Sequence, residues 1–270
     1  MTRTHSPREL PLARTGTSLE QAMPLRGSVH SRLVFVIVFV ATVLVAASAL
    51  AARAGAEPSR ISEVNVVGSG TLAKPSVPVY EKPSASSRRV TTLRQFRPDF
   101  RPQYVLALSA VTSKGGKPTW YRINYPGRPN GQTGWVRASA VDIRPVQKRL
   151  VIYRSARTFE LWDGERLVRT GRVAVGKPGA ETPTGLFYVT WKFSPKIDPN
   201  WAILGDFAFE TSAYSKLTDW PGGGIVGVHG TPWPNLLGQA VSHGCVRLHN
   251  RDITFLKSRM PLGTPVKIVR

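Results

Sequence analysis

The chain has 270 residues but only one cysteine, three methionines and 16 acidic residues against 37 basic ones. A lone thiol cannot close an internal disulfide, and no Cys/His quartet stands at zinc-finger spacing. Disulfide frameworks and structural zinc centres are therefore both excluded. No glycine-rich phosphate loop, Ser/His/Asp set or pair of carboxylates at catalytic spacing stands out, so no cofactor is assigned. Long apolar runs are scarce too, with one at residues 33–52. The acidic deficit leaves a formal charge of +21, which argues for a polyanionic partner: nucleic acid, acidic lipid or an acidic polymer. With 41% hydrophobic and 20% charged residues, the composition is that of a globular protein of one or two domains.

The apolar run carries no charge, Pro or Gly and is long enough to cross a bilayer as a helix. Five arginines and two glutamates precede it. The positive-inside rule then makes residues 1–32 a cytoplasmic basic tail, residues 33–53 a transmembrane anchor, and everything beyond an exported, envelope-located part. A cleavable signal segment is the alternative, because Ala54-Gly55-Ala56 has the small-x-small form of a cleavage site. The remaining charge is spread, about evenly, at +9 over residues 57–147 and +8 over residues 148–270. A distributed excess reads as a solvated, anion-preferring surface. Export makes nucleic acid a poor partner and a wall polymer or anionic lipid a better one.

Residues 57–147 alternate short strand-like runs, at 63–67, 77–80, 89–93, 104–108, 120–123 and 134–136, with Pro and Gly breaks. This pattern predicts a small β-barrel or sandwich. At Val77-Pro78-Val79-Tyr80, Trp120-Tyr121-Arg122-Ile123 and Gly134-Trp135-Val136 the segment resembles bacterial Src-homology-3-like domains. That resemblance implies a recognition or spacer role; as core residues, Trp120, Tyr121 and Trp135 would need no such role. A boundary is expected near Arg144-Pro145. Beyond it, strands are predicted at 149–153, 158–162, 167–175, 186–193, 207–210, 225–228 and 266–269, with Asp163-Gly164 as a tight hairpin turn. The one helical signal is at 250–260, with Asn250 as N-cap, Asp252 in the first turn, and Ile253, Leu256 and Met260 recurring on one face.

The single cysteine lies in Val241-Ser242-His243-Gly244-Cys245-Val246-Arg247-Leu248, and Gly227-Val228-His229-Gly230 comes sixteen residues before it. A nucleophilic thiol needs a base for its proton and N–H groups for the oxyanion formed at a carbonyl. Both histidines are candidates for the base, and a neighbouring histidine can lower the thiol pKa towards neutrality. His243 would point with Cys245 on a regular strand, whereas His229 has to come from a neighbouring one. Taken singly, a buried structural cysteine and structural histidines are the ordinary reading. A metal site from His229, His243, Cys245 and His249 matches no common spacing, so no metal is assigned.

His229-Gly230 and Ser242-His243-Gly244-Cys245-Val246-Arg247-Leu248, together with Val175-Gly176-Lys177-Pro178 and Thr182-Pro183-Thr184-Gly185-Leu186-Phe187, resemble the L,D-transpeptidase catalytic domain over residues 148–270. The resemblance implies a mainly β catalytic domain with one short C-terminal helix. It also implies Cys245 as nucleophile and His229 as general base. Ser242, His243, Gly244 and Arg247 would line the site, with Gly244 and Cys245 N–H groups binding the oxyanion. Peptidoglycan stem peptides would be the partners, joined by 3,3 cross-links or trimmed by hydrolysis. Arg247 could grip a substrate carboxylate or fix the cysteine loop. Tyr214, Trp220 and Trp233, near Gly222-Gly223-Gly224 and Pro232, could form a lid or simply pack. A Cys/His wall peptidase and a non-catalytic wall-binding scaffold are the competing readings. The papain-like order, cysteine before histidine, is reversed here.

Overall fold

The structure is a computed structural model that describes residues 64–195, 198–219 and 222–270. The expected basic tail and the anchor or signal segment at 33–53 lie outside the described residues, as does Trp220. Among the described residues no helix is long and apolar enough to cross a membrane. They form two β-sheets and one short α-helix.

The first sheet holds seven strands: β1 (Gly68–Leu72), β2 (Ser76–Tyr80), β3 (Arg89–Arg94), β4 (Tyr104–Thr112), β5 (Pro118–Asn124), β6 (Thr133–Arg137) and β7 (Val141–Arg144). Their order is β3-β2-β6-β5-β4-β1-β7, antiparallel throughout. Alternation places Val77, Val79, Val105, Ile123 and Val136 in its core. The strand expected at 63–67 is instead β1, whose Gly-Ser-Gly start offers little side-chain pattern to read. Between them, its two glycines let the backbone of β7 approach closely.

The second sheet comprises β8 (Lys148–Tyr153), β9 (Thr158–Asp163), β10 (Arg166–Gly176), β11 (Gly185–Phe193), β12 (Ala208–Tyr214), β13 (Ile225–His229), β14 (Ala240–Ser242), β15 (Val246–Leu248) and β16 (Pro265–Val269). The order is β14-β10-β15-β13-β12-β11-β16-β8-β9, and β9 also pairs with β10, so the row closes on itself. Most pairs are antiparallel, but β13/β15, β16/β8 and β10/β14 run parallel. Leu150, Phe159, Val173, Phe187, Phe209, Val228, Val246 and Leu248 fill the interior.

The helix α1 (Asn250–Lys257) buries Ile253 and Leu256 against that core. Its N-cap is His249, not Asn250: the Nδ1 of His249 accepts from the Arg251 N–H at 3.1 Å. Asn250 is one residue inside. Its Oδ1 accepts from the N–H groups of Thr231 (3.0 Å) and Asp206 (3.2 Å), tying the helix start to the turn after His229.

Candidate active site

The site begins with strand register. In the parallel pair β13/β15, Val228 faces Val246 and His229 faces Arg247, so one step back Gly227 stands beside Cys245. Val226, Val228, Val246 and Leu248 point into the core. Alternation therefore turns Gly227, His229, Cys245 and Arg247 to the other face. The Gly227 N–H donates to Cys245 Sγ at 3.3 Å. A Cβ on Gly227 would sit 3.5 Å from His229 Cδ2 and 3.7 Å from Cys245 Sγ. The missing side chain thus leaves the thiol and the imidazole facing one open space.

Of the two candidate histidines, His229 is the one whose ring edge meets Cys245 across Gly227. His243 and Cys245 do not share a strand face, because β14 ends at Ser242 and Gly244 adopts φ 123°. That conformation is poorly open to a side chain, and it turns the chain between the two short strands. Three groups hold the bend. Ser242 Oγ donates to the Cys245 carbonyl at 2.6 Å and accepts from the Gly244 N–H at 3.2 Å. Ser215 Oγ donates to the His243 carbonyl at 3.0 Å. The Lys177 N–H, from the loop after β10, donates to the Ser242 carbonyl at 2.9 Å. The Gly244 N–H, expected to bind an oxyanion, donates to Ser242 Oγ in this structure. Ser242 is 1% exposed, so Ser242→Ala leaves two backbone groups unpaired in a dry setting. It is expected to cost about 2 kcal/mol of stability, measured by denaturant titration.

His229 is 3% exposed. Its Nδ1 lies 2.6 Å from the Gly230 carbonyl; because a carbonyl only accepts, a proton on Nδ1 satisfies this contact. Burial pushes the imidazole down to about 4, partly opposed by the Gly230 and Leu204 carbonyls and reinforced by the Arg247 charge. Burial raises the Cys245 thiol above its ordinary value, against smaller lowering effects from the Gly227 N–H and Arg247. The expectation that a neighbouring histidine lowers the thiol pKa towards neutrality is therefore corrected. Desolvation disfavours both charges and so favours a neutral thiol beside a neutral imidazole.

A neutral pair has a measurable signature. Iodoacetamide reacts with the thiolate, so alkylation of Cys245 is expected to rise roughly tenfold per pH unit between about pH 6 and about pH 8. A resting thiolate–imidazolium pair would give a flat rate there. An activity that used neutral His229 as base would be lost on the acid side only as pH falls towards about 4.

Cys245 and His229 open into a cavity of about 140 Å³, walled by Phe193, Trp201, Leu204, Phe209 and Ile225 and also bordered by Glu210. Trp201, on the helical turn Pro199–Leu204, is 42% exposed. Sequence reasoning passed over it, because nothing local to it signals the cavity. Of the aromatics considered as a lid, Tyr214 ends β12 and stacks under Arg128, while Trp233 is 45% exposed. Arg247 shares the face of His229, and its Nε is buried with no hydrogen-bond partner among the described residues. Among the described residues no group of three or more His, Cys, Asp or Glu is arranged to hold a metal.

A family model for the L,D-transpeptidase catalytic domain matches residues 147–268. YkuD of Bacillus licheniformis is 32% identical over 179 residues, spanning 66% of this chain and 93% of its own length. L,D-transpeptidase 1 of Mycobacterium tuberculosis is 30% identical over 122 residues, 43% of this chain and 47% of that one. A solved L,D-transpeptidase from Mycobacterium smegmatis aligns at TM-score 0.38 and 16% identity, covering 63% of this chain and 92% of that chain.

Proposed function

This chain belongs to the L,D-transpeptidase family, and from that premise we propose that it joins peptidoglycan stem peptides through a thioester on Cys245. The observation that carries the reading is the shared face: thiol and imidazole on adjacent parallel strands, with Gly227 leaving the space between them open.

Cys245 Sγ attacks the carbonyl that links the L-centre of diaminopimelate to the terminal D-Ala of a donor stem. His229 Nε2 takes the thiol proton as the C–S bond forms, so charge develops on the oxyanion and the imidazolium rather than on a resting thiolate. The Cys245 N–H faces the oxyanion, while Ser242, through Gly244 and the Cys245 carbonyl, holds the bend that aims it. His229 then gives its proton to the leaving D-Ala amine. The side-chain amine of a second stem attacks the thioester, a 3,3 cross-link forms and the thiol is restored. His243 borders the bend. Arg247, with a buried donor lacking a protein partner, is suited to a substrate carboxylate. The apolar cavity walls support aminolysis over hydrolysis, because they disfavour bulk water at the thioester.

The remaining expectations belong to the same proposal: an envelope location with an anchor or signal at 33–53, and a Src-homology-3-like identity for residues 57–147. The N-terminal sequence of the mature protein separates anchor from signal. For the activity, the protein is incubated with tetrapeptide-bearing wall fragments. Dimers joined between two diaminopimelates support transpeptidation, shortened monomers alone indicate a carboxypeptidase, and unchanged fragments leave only a scaffold.

A further inference from the structure

Strand β12 lies on the far side of β13 from Cys245, and its Glu210 pairs with Gly227. Glu210, Gly227 and Cys245 therefore form one row, and two ladder spacings separate the Cα atoms of Glu210 and Cys245 by roughly 10 Å. Both border the same cavity. A carboxylate there, its side chain only 14% exposed, would oppose any negative charge forming on sulfur or on the attacked carbonyl.

Its compensation comes from the first sheet. Between β3 and β4 the chain folds back on itself: the Arg97 N–H donates to the Arg101 carbonyl at 2.9 Å and the Gln103 N–H to the Gln95 carbonyl at 2.8 Å. This closed loop presents two guanidinium groups together. Arg97 ion-pairs with Glu210 Oε1, Arg101 Nη1 lies 3.1 Å from Oε2, and Thr190 Oγ1 donates to Oε1 at 2.8 Å. Arg101 also sits over the Trp191 ring, 5.1 Å from its centroid. Asp99 in the same loop pairs with both arginines but is more exposed, at 39%.

We propose that Arg97 and Arg101 are positioning residues of the Cys245 site, contributed by the first sheet. By ion-pairing Glu210 they keep an uncompensated carboxylate out of the wall of the cavity where the thiol reacts. The first sheet is then part of the reaction centre and not only a spacer. The proposal rests on Cys245 being the nucleophile, and it adds a requirement for residues more than a hundred positions away in the chain. The other charged or titratable groups facing the thiol are Arg247 on its own strand, His229 on β13 and His243 in the bend.

The test is the pH dependence of Cys245 alkylation by iodoacetamide in the full chain, which needs no wall substrate. At roughly 10 Å and an effective dielectric near 20, one unit charge shifts a neighbouring pKa by about one unit. Arg97→Gln with Arg101→Gln should move the thiol profile up by about one unit. Glu210→Gln, which leaves Arg97 and Arg101 balanced only by the more exposed Asp99, should move it down, and the triple variant should return close to the wild type. Damage to packing alone would not give opposite signs or a restoration. Unshifted profiles, or shifts of one sign in all three variants, would overturn the proposal. If these shifts appear while wall fragments stay unreacted, the transpeptidase reading fails and the electrostatic coupling stands.

Discussion

Cys245→Ala is expected to reduce cross-linking by at least about a thousandfold, to the background level, with the fold retained. Cys245 is half-buried as a residue, and among the described residues its sulfur accepts from the Gly227 N–H. Losing it costs about 1 kcal/mol of packing and hydrogen bonding, while the proposed chemistry loses its bond-forming atom. A circular dichroism melt together with product analysis separates the two effects. A variant that keeps its melting behaviour and loses turnover identifies Cys245 as nucleophile. A variant that still forms dimers removes Cys245 from the mechanism.

His229→Gln is expected to lower turnover by about a hundred to ten-thousandfold while preserving most of the stability. Glutamine fills much of the imidazole volume, and its amide can still donate to the Gly230 carbonyl that now receives Nδ1–H. It cannot accept and return a proton. His229→Ala would be a poorer probe, since it empties a site that is 3% exposed next to the core. Alkylation of Cys245 at high pH, where hydroxide removes the proton, should be nearly unaffected by His229→Gln. Comparable losses in alkylation and turnover would mean that the histidine shapes the site rather than moving the proton.

The residues alone, one thiol with two candidate histidines, leave the base open between His229 and His243; the pairing of Cys245 with His229 comes from the family resemblance. Most strands were legible, through alternation in β2 and through a run of apolar and aromatic residues in β11. β14 and β15 were not, because three-residue strands broken by His243-Gly244 carry no alternation to read. The acidity of the pair could not be read either. A sequence shows that histidine and cysteine are neighbours, but the direction of their pKa values depends on how much water each retains, and burial reverses the ordinary expectation. The cap at His249 escaped because asparagine is the commoner cap, and here Asn250 is spent on the turn at Thr231. Least visible was the clasp on Glu210, since Arg97 lies 113 residues before its partner and nothing local signals the contact.

The charge of +21 also takes on structure in part. Arg97 and Arg101 offset a carboxylate at the cavity, and Arg128 donates to the Ser215, Leu217 and Gly223 carbonyls beside the bend. These cations serve the site's own architecture, while the exposed remainder gives the surface its anion preference.

The most direct measurement is intact-protein mass spectrometry during exposure to a tetrapeptide stem fragment, followed by peptide mapping. The expected result is a mass gain equal to the donor stem less its terminal D-Ala, located on Cys245, released by hydroxylamine as a thioester is, and absent from Cys245→Ala. Product formation without that adduct, or an adduct that maps to any other residue, would contradict a thioester mechanism at Cys245.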